Sequence, residues 1–137
     1  MQVQILLSST YEIVGAMDGD TCPSQDFLHQ GEANEAASRS GLLAMLGHVA
    51  QNGLQGVPAA WSHEVNKLEG IYEFTKGQLR LFYFKGDRSQ IVVCTTGGRK
   101  KGKKVDPKAV AVAIAFKKRY LEAVKAKTLE VLSDEDE

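Results

Sequence analysis

The chain is poor in the residues that build staples and metal sites. Its 137 residues hold two cysteines, three prolines, three histidines and one tryptophan. Cys22 and Cys94 stand far apart with no CxxC pair and no Cys/His cluster, a pattern that argues against a disulfide framework or zinc site and fits reduced thiols. No metal and no cofactor are expected. No apolar run reaches the length of a membrane span, and the opening MQVQILLSSTYE lacks the basic region and cleavable apolar stretch of a signal peptide. The expected setting is therefore cytoplasmic, without a membrane partner. Cations are nearly missing from the first half: Arg39 is the only one before Lys67, against seven acids.

The missing cations are concentrated elsewhere. Lys67 to Lys127 carries sixteen Lys and Arg against five acids, and the last ten residues carry five acids and no cation. A basic body with acidic ends suggests a polyanion as the partner of the body. The length suits one domain over residues 1–132, followed by an acidic tail over 133–137 expected to be disordered.

Periodicity predicts an α+β order. Gln2 to Leu7 reads as an opening strand, and Pro23 opens a short helix that reaches Gln30. From Asn34 to Gly53, residues Ala37, Leu42, Leu43, Met45, Leu46, Val49 and Ala50 follow the stripe of an amphipathic helix. Gly53 to His63 reads as a loop. Lys67 to Thr75, Leu79 to Lys85 and Gln90 to Thr96 then form an antiparallel meander around short turns. Asp106 and Pro107 cap a final helix predicted to run to Leu132.

Chemistry is concentrated after the last meander strand, in IVVCTTGGRKKGKK, where Arg99, Lys100, Lys101, Lys103 and Lys104 fall within six positions. Such crowding favours a polyanion, although a solvated basic loop has the same composition. The spacing Gly97-x-x-x-x-Gly102-Lys103 imitates a phosphate-cradling loop. Its chemistry does not follow, because Lys104 stands where a magnesium-binding hydroxyl is needed and the preceding strand belongs to a meander.

Arg80 is a cation in the middle of a central strand, on the face of Phe82 and Phe84 and opposite that of Leu79, Leu81 and Tyr83. Either it pairs with an acid such as Glu73 on the neighbouring strand, or it meets a ligand phosphate in an open cleft. Among the histidines, His63 alone lies where it can reach such a cleft.

Taken together, Lys67-Leu68-x-Gly70-x-Tyr72-Glu73-Phe74, Leu79-Arg80-Leu81-Phe82-Tyr83-Phe84, Ile91-Val92-Val93 leading into Gly97-Gly98-Arg99-Lys100-Lys101, and the helix bearing Lys117-Lys118-Arg119-Tyr120 resemble the HigB-like branch of the RelE/ParE toxin superfamily. The resemblance covers roughly Ala36 to Lys125. It implies a RelE-like fold: an N-terminal strand and two helices, then a three-stranded antiparallel meander and a C-terminal helix. It also implies the toxin of a type II toxin-antitoxin pair, an endoribonuclease that cleaves mRNA on or near the ribosome and is neutralised by a cognate antitoxin, commonly a helix-turn-helix protein.

By position, Arg80, Arg99, Lys100 and Lys101 are the implied catalytic cations, stabilising charge as an RNA 2′-OH attacks the adjacent phosphate without a metal. Lys103, Lys104, Arg88 and Lys76 are the implied RNA-binding residues. His63, Tyr83 and Tyr120 are candidates for acid and base, and a lysine crowded by Arg99 is another candidate for base. Arg80 cannot be the base because it never loses its proton. Two positions depart from the family: Thr75 stands where an arginine is usual, and GKKVD after the basic pair lacks the usual aromatic or histidine. These departures leave open a non-cleaving inhibitor: a ParE-like gyrase poison, a basic RNA- or protein-binding module, or a phage accessory protein docking on an acidic partner.

Overall fold

The computed structural model describes residues 1–100, 102 and 106–133. Its strands are β1 (Gln2–Ser8), β2 (Glu12–Ala16), β3 (Ser62–Asn66), β4 (Ile71–Lys76), β5 (Leu79–Phe84), β6 (Gln90–Arg99) and β7 (Glu130–Leu132). The helices are α1 (Pro23–His29), α2 (Ala36–Asn52), entered through a 3-10 turn at Ala33–Glu35, and α3 (Pro107–Ala126).

All seven strands join one sheet in the order β3-β4-β5-β6-β2-β1-β7. The run β3 to β6 is antiparallel, β2 lies parallel to β6, β1 is antiparallel to β2, and β7 is parallel to β1. This corrects the expected fold. In place of one opening strand, a three-stranded meander and a closing helix in a RelE-like frame, the chain builds a seven-stranded mixed sheet with three helices.

Each added strand has a local cause. Tyr11 separates β1 from β2, and its N–H donates to the Ala50 carbonyl at 2.8 Å, pinning the hairpin turn to the end of α2. β2 buries Ile13, Val14 and Ala16 completely, so it serves as an interior strand between β6 and β1 despite its shortness and its glycine. The glycine is required by packing: a Cβ on Gly15 would lie 2.4 Å from Ser24 Oγ and 2.6 Å from Cys22 Sγ.

β3 starts at the end of the expected Gly53 to His63 loop, was not read as a strand, and pairs with β4 through Ser62 to Phe74 and His63 to Glu73. At the other end, α3 stops at Ala126 because Lys127 turns left-handed at φ 59°. The segment expected to be helical through Leu132 instead pairs with β1, Val131 opposite Val3. The start of α3 is as predicted, with Pro107 in the first turn and the Asp106 side chain accepting from the Lys108 N–H at 2.9 Å.

The sheet separates two apolar layers. On one face Leu42, Leu46 and Val49 of α2 and Leu28 of α1 pack on Ile13, Phe74, Leu79, Leu81, Tyr83, Val92 and Cys94. On the other, Ala113, Phe116 and Tyr120 of α3 cover Val3, Val14, Ile71, Phe84 and Val93. Strand alternation directs successive residues of β5 to the two layers. Among the described residues no helix is long and apolar enough to cross a membrane.

Candidate functional site

The face that carries α3 continues past the helix start, and polar residues replace apolar ones there. His63 of β3 pairs with Glu73 of β4, Thr75 of β4 pairs with Arg80 of β5, and Arg80 pairs with Gly98 of β6. His63 Nε2 lies 2.9 Å from Glu73 Oε1, and Arg80 Nε lies 3.7 Å from the same oxygen. Glu73 is buried while half of the His63 side chain is exposed. A buried carboxylate is costly without partners. Here it bridges an imidazole and a guanidinium.

His63 Nε2 stands close enough to the carboxylate for the Glu73 charge to favour a proton on that nitrogen, which leaves the Nδ1 lone pair as the acceptor. Arg80 Nη1 donates to the Gly77 and Leu79 carbonyls at 2.8 Å each. Its Nη2 has no hydrogen-bond partner among the described residues. The site thus combines a proton acceptor, a carboxylate that orients it, and a fixed cation with one donor nitrogen to spare.

Arg99 projects from the opposite face. It pairs with Leu79, which belongs to the α2 layer, and its Nε and Nη2 donate to the two carboxylate oxygens of Glu35. That hydrogen-bonded guanidinium holds the Glu35 carboxyl below the usual range, and Glu35 raises Arg99 in return. Arg39 Nη1 stands 3.6 Å from the same carboxylate. The pair ties the end of β6 to the entrance of α2.

Lys100 is exposed at the Arg80 end, where its N–H donates to the Gln78 carbonyl at 2.7 Å. The stem of Lys76 passes over α2, with its Cε 2.7 Å from where a Gly41 Cβ would be. Arg88 lies in the β5–β6 turn at the far end of the strands, exposed and facing Asp87 at 3.8 Å. Lys101, Lys103 and Lys104 lie outside the described residues.

The two tyrosines are built into packing. Tyr83 stacks on Phe74, ring centroids 4.3 Å apart, with its hydroxyl 2.6 Å from Ser62 Oγ, and burial pushes its phenol up to about 12. The Tyr120 hydroxyl accepts from the Asp87 N–H at 3.0 Å and donates to Gln90 Oε1 at 2.5 Å, closing the β5–β6 turn; burial raises its pKa too. A hollow of about 380 Å³, lined by Tyr11, Asn52, Gln55, Lys85 and Ile91, lies at that same far end.

Of the residues singled out in the sequence, the structure brings Arg80, His63 and Lys100 to one end of the sheet. It leaves Arg99 and Lys76 on the other face and Arg88, Tyr83 and Tyr120 elsewhere. Glu73 was visible as a partner for Arg80, but its hold on His63 was not, because the register that joins them depends on the unrecognised β3. Neither the protein-family models nor the curated proteins compared with the chain match it.

Proposed function

We propose that the chain is a metal-independent endoribonuclease acting on mRNA. The observation that carries this reading is the Glu73 carboxylate joining a half-exposed imidazole to a strand arginine on one face of the sheet. His63 takes the 2′-OH proton, and the 2′ oxygen attacks the adjacent phosphorus. The bond from phosphorus to the 5′ oxygen then breaks, and the departing oxygen takes a proton from water. The products are a 2′,3′-cyclic phosphate and a 5′-hydroxyl end. Arg80 Nη2, with Lys100 nearby, stabilises the charge that gathers on the phosphate oxygens, while Glu73 stabilises the imidazolium. The sequence resemblance supplies the biological setting: a toxin acting on translated mRNA and held in check by a cognate antitoxin.

The experiment adds purified protein to an mRNA, with and without translating ribosomes, and maps new 5′ ends. Cuts with 5′-hydroxyl ends are expected. Arg80→Ala should abolish them, and His63→Gln should slow them on the order of 100-fold, the usual scale of a lost proton-transfer group. A folded Arg80→Ala that cuts like the wild type would sink the assignment. Thr75, opposite Arg80, donates its hydroxyl to the Ala60 carbonyl at 2.9 Å and supplies no second cation, which favours the non-cleaving inhibitor as second reading. Intact mRNA in both arms, from folded protein, would select it.

A further inference from the structure

Gly97 and Gly98 are neighbours in β6, and only one of them is explained by packing. A Cβ on Gly97 would lie 2.1 Å from the Phe27 ring of α1, so a glycine is required where that helix meets the sheet. Gly98 points the other way. A Cβ there would meet nothing within 4 Å among the described residues, and its φ is not positive. A glycine inside a strand gives up side-chain packing and costs chain entropy, and it commonly marks close approach by a ligand or another backbone. No turn or neighbouring element of the described chain requires this one, and the irregularity in the β5–β6 pairing falls before it, between Cys94 and Gly97.

What stands beside Gly98 is the site itself. It pairs directly with Arg80, whose guanidinium is anchored by Glu73 and two carbonyls. We infer that Gly98 is the floor on which the RNA sugar-phosphate backbone lies, its missing side chain letting a phosphate reach Arg80 from the sheet surface. The inference rests on the ribonuclease reading and adds a substrate-contact position to it. The bare floor admits a single strand edge-on, and the substrate class is accordingly unpaired RNA held by its backbone.

The test substitutes Gly98 by Ala and by Val, with Gly97→Ala as a packing control. Binding is read with a single-stranded 2′-O-methyl RNA, which cannot be cleaved, by fluorescence anisotropy; cleavage is read by the end-mapping assay. The open space and the strand preference of valine predict a Tm at or above that of the wild type for both Gly98 variants. Affinity should fall from Gly to Ala to Val, reaching about tenfold at Val, or about 1.4 kcal/mol, with the loss in KM rather than kcat. Gly97→Ala should lower the Tm while the folded fraction binds RNA normally.

A Gly98→Val protein with wild-type Tm and wild-type affinity would overturn the inference and leave the ribonuclease reading standing. A lowered Tm in both Gly98 variants would assign this glycine to packing and overturn it as well. Wild-type protein that neither binds nor cuts RNA would overturn both.

Discussion

Arg80 and Arg99 carry the same guanidinium on neighbouring strands, yet their surroundings give them different work. Above the buried Glu73, Arg80 Nη2 has no hydrogen-bond partner among the described residues, whereas Arg99 spends its fork on Glu35. Arg99 is therefore a tether for the end of β6. Because the folded pKa of Glu35 lies below its unfolded value, the tether adds stability above the ordinary carboxylate range, near about 4.3. That contribution is lost as the pH falls through the folded value. Urea midpoints of the wild type should exceed those of Glu35→Gln at neutral pH, and the two curves should converge in acid; a gap that stays constant would show that the charge of Glu35 is not what stabilises. The contribution is that of a solvent-screened pair and so is small. Arginine in a strand was legible in the sequence as a cation needing an explanation. The face of Arg80 followed from alternation along β5, but that of Arg99 did not, because the β6 register shifts between the partners of Leu81 and Tyr83.

Among the elements, α3 shows what could and could not be read from local pattern. Asp106 and Pro107 announced its start by side-chain chemistry that works within four residues. Its end left no such mark, since Lys127 adopts the left-handed conformation usually given to glycine, and Thr128 to Leu132 has residues that suit helix or strand. The deciding partner was the open edge of β1, more than a hundred residues earlier in the chain. A lysine at φ 59° gives up steric comfort that glycine would recover. Lys127→Gly should therefore raise stability by about 1 kcal/mol, measured by urea unfolding; no gain would mean that the lysine side chain makes compensating contacts. The strands β4, β5 and β6 were legible because hairpin turns and alternation are local signals. β2 and β3 are five residues each, one centred on a glycine-bearing run and the other on polar residues, and they became strands by joining edges already present.

At the scale of the whole molecule, ionisable groups buried in the sheet set an alkaline limit. Tyr83 is raised to about 12, and burial raises Cys94 and Tyr120 as well. Each folded pKa exceeds its unfolded value, so the native state holds these protons longer than the unfolded chain. The contribution of these groups should be level below the ordinary thiol range, near about 8.5, and fall as the pH rises through about 10 and beyond. Urea midpoints across that range would check it, and a profile flat to the Tyr83 value would count against the burial of these groups. Composition and length led to the expectation of one domain, and the basic half to that of a polyanion partner. The sheet order was out of reach, because it depends on pairings between the two ends of the chain.

One of those pairings bears on how the protein is made. β2 lies inside the sheet between β1 and β6; Ile13 pairs with Leu7 of the neighbouring β1, but its other partner is Val92, on a strand synthesised much later. As the chain leaves the ribosome, the N-terminal hairpin must wait with an unpaired inner edge until β6 emerges. Folding dominated by such distant closure is slow and exposes the edge to other strands meanwhile. Arg80 and Gly98 both belong to the later part of the chain, so its first half emerges with neither and cannot assemble the cluster around Glu73.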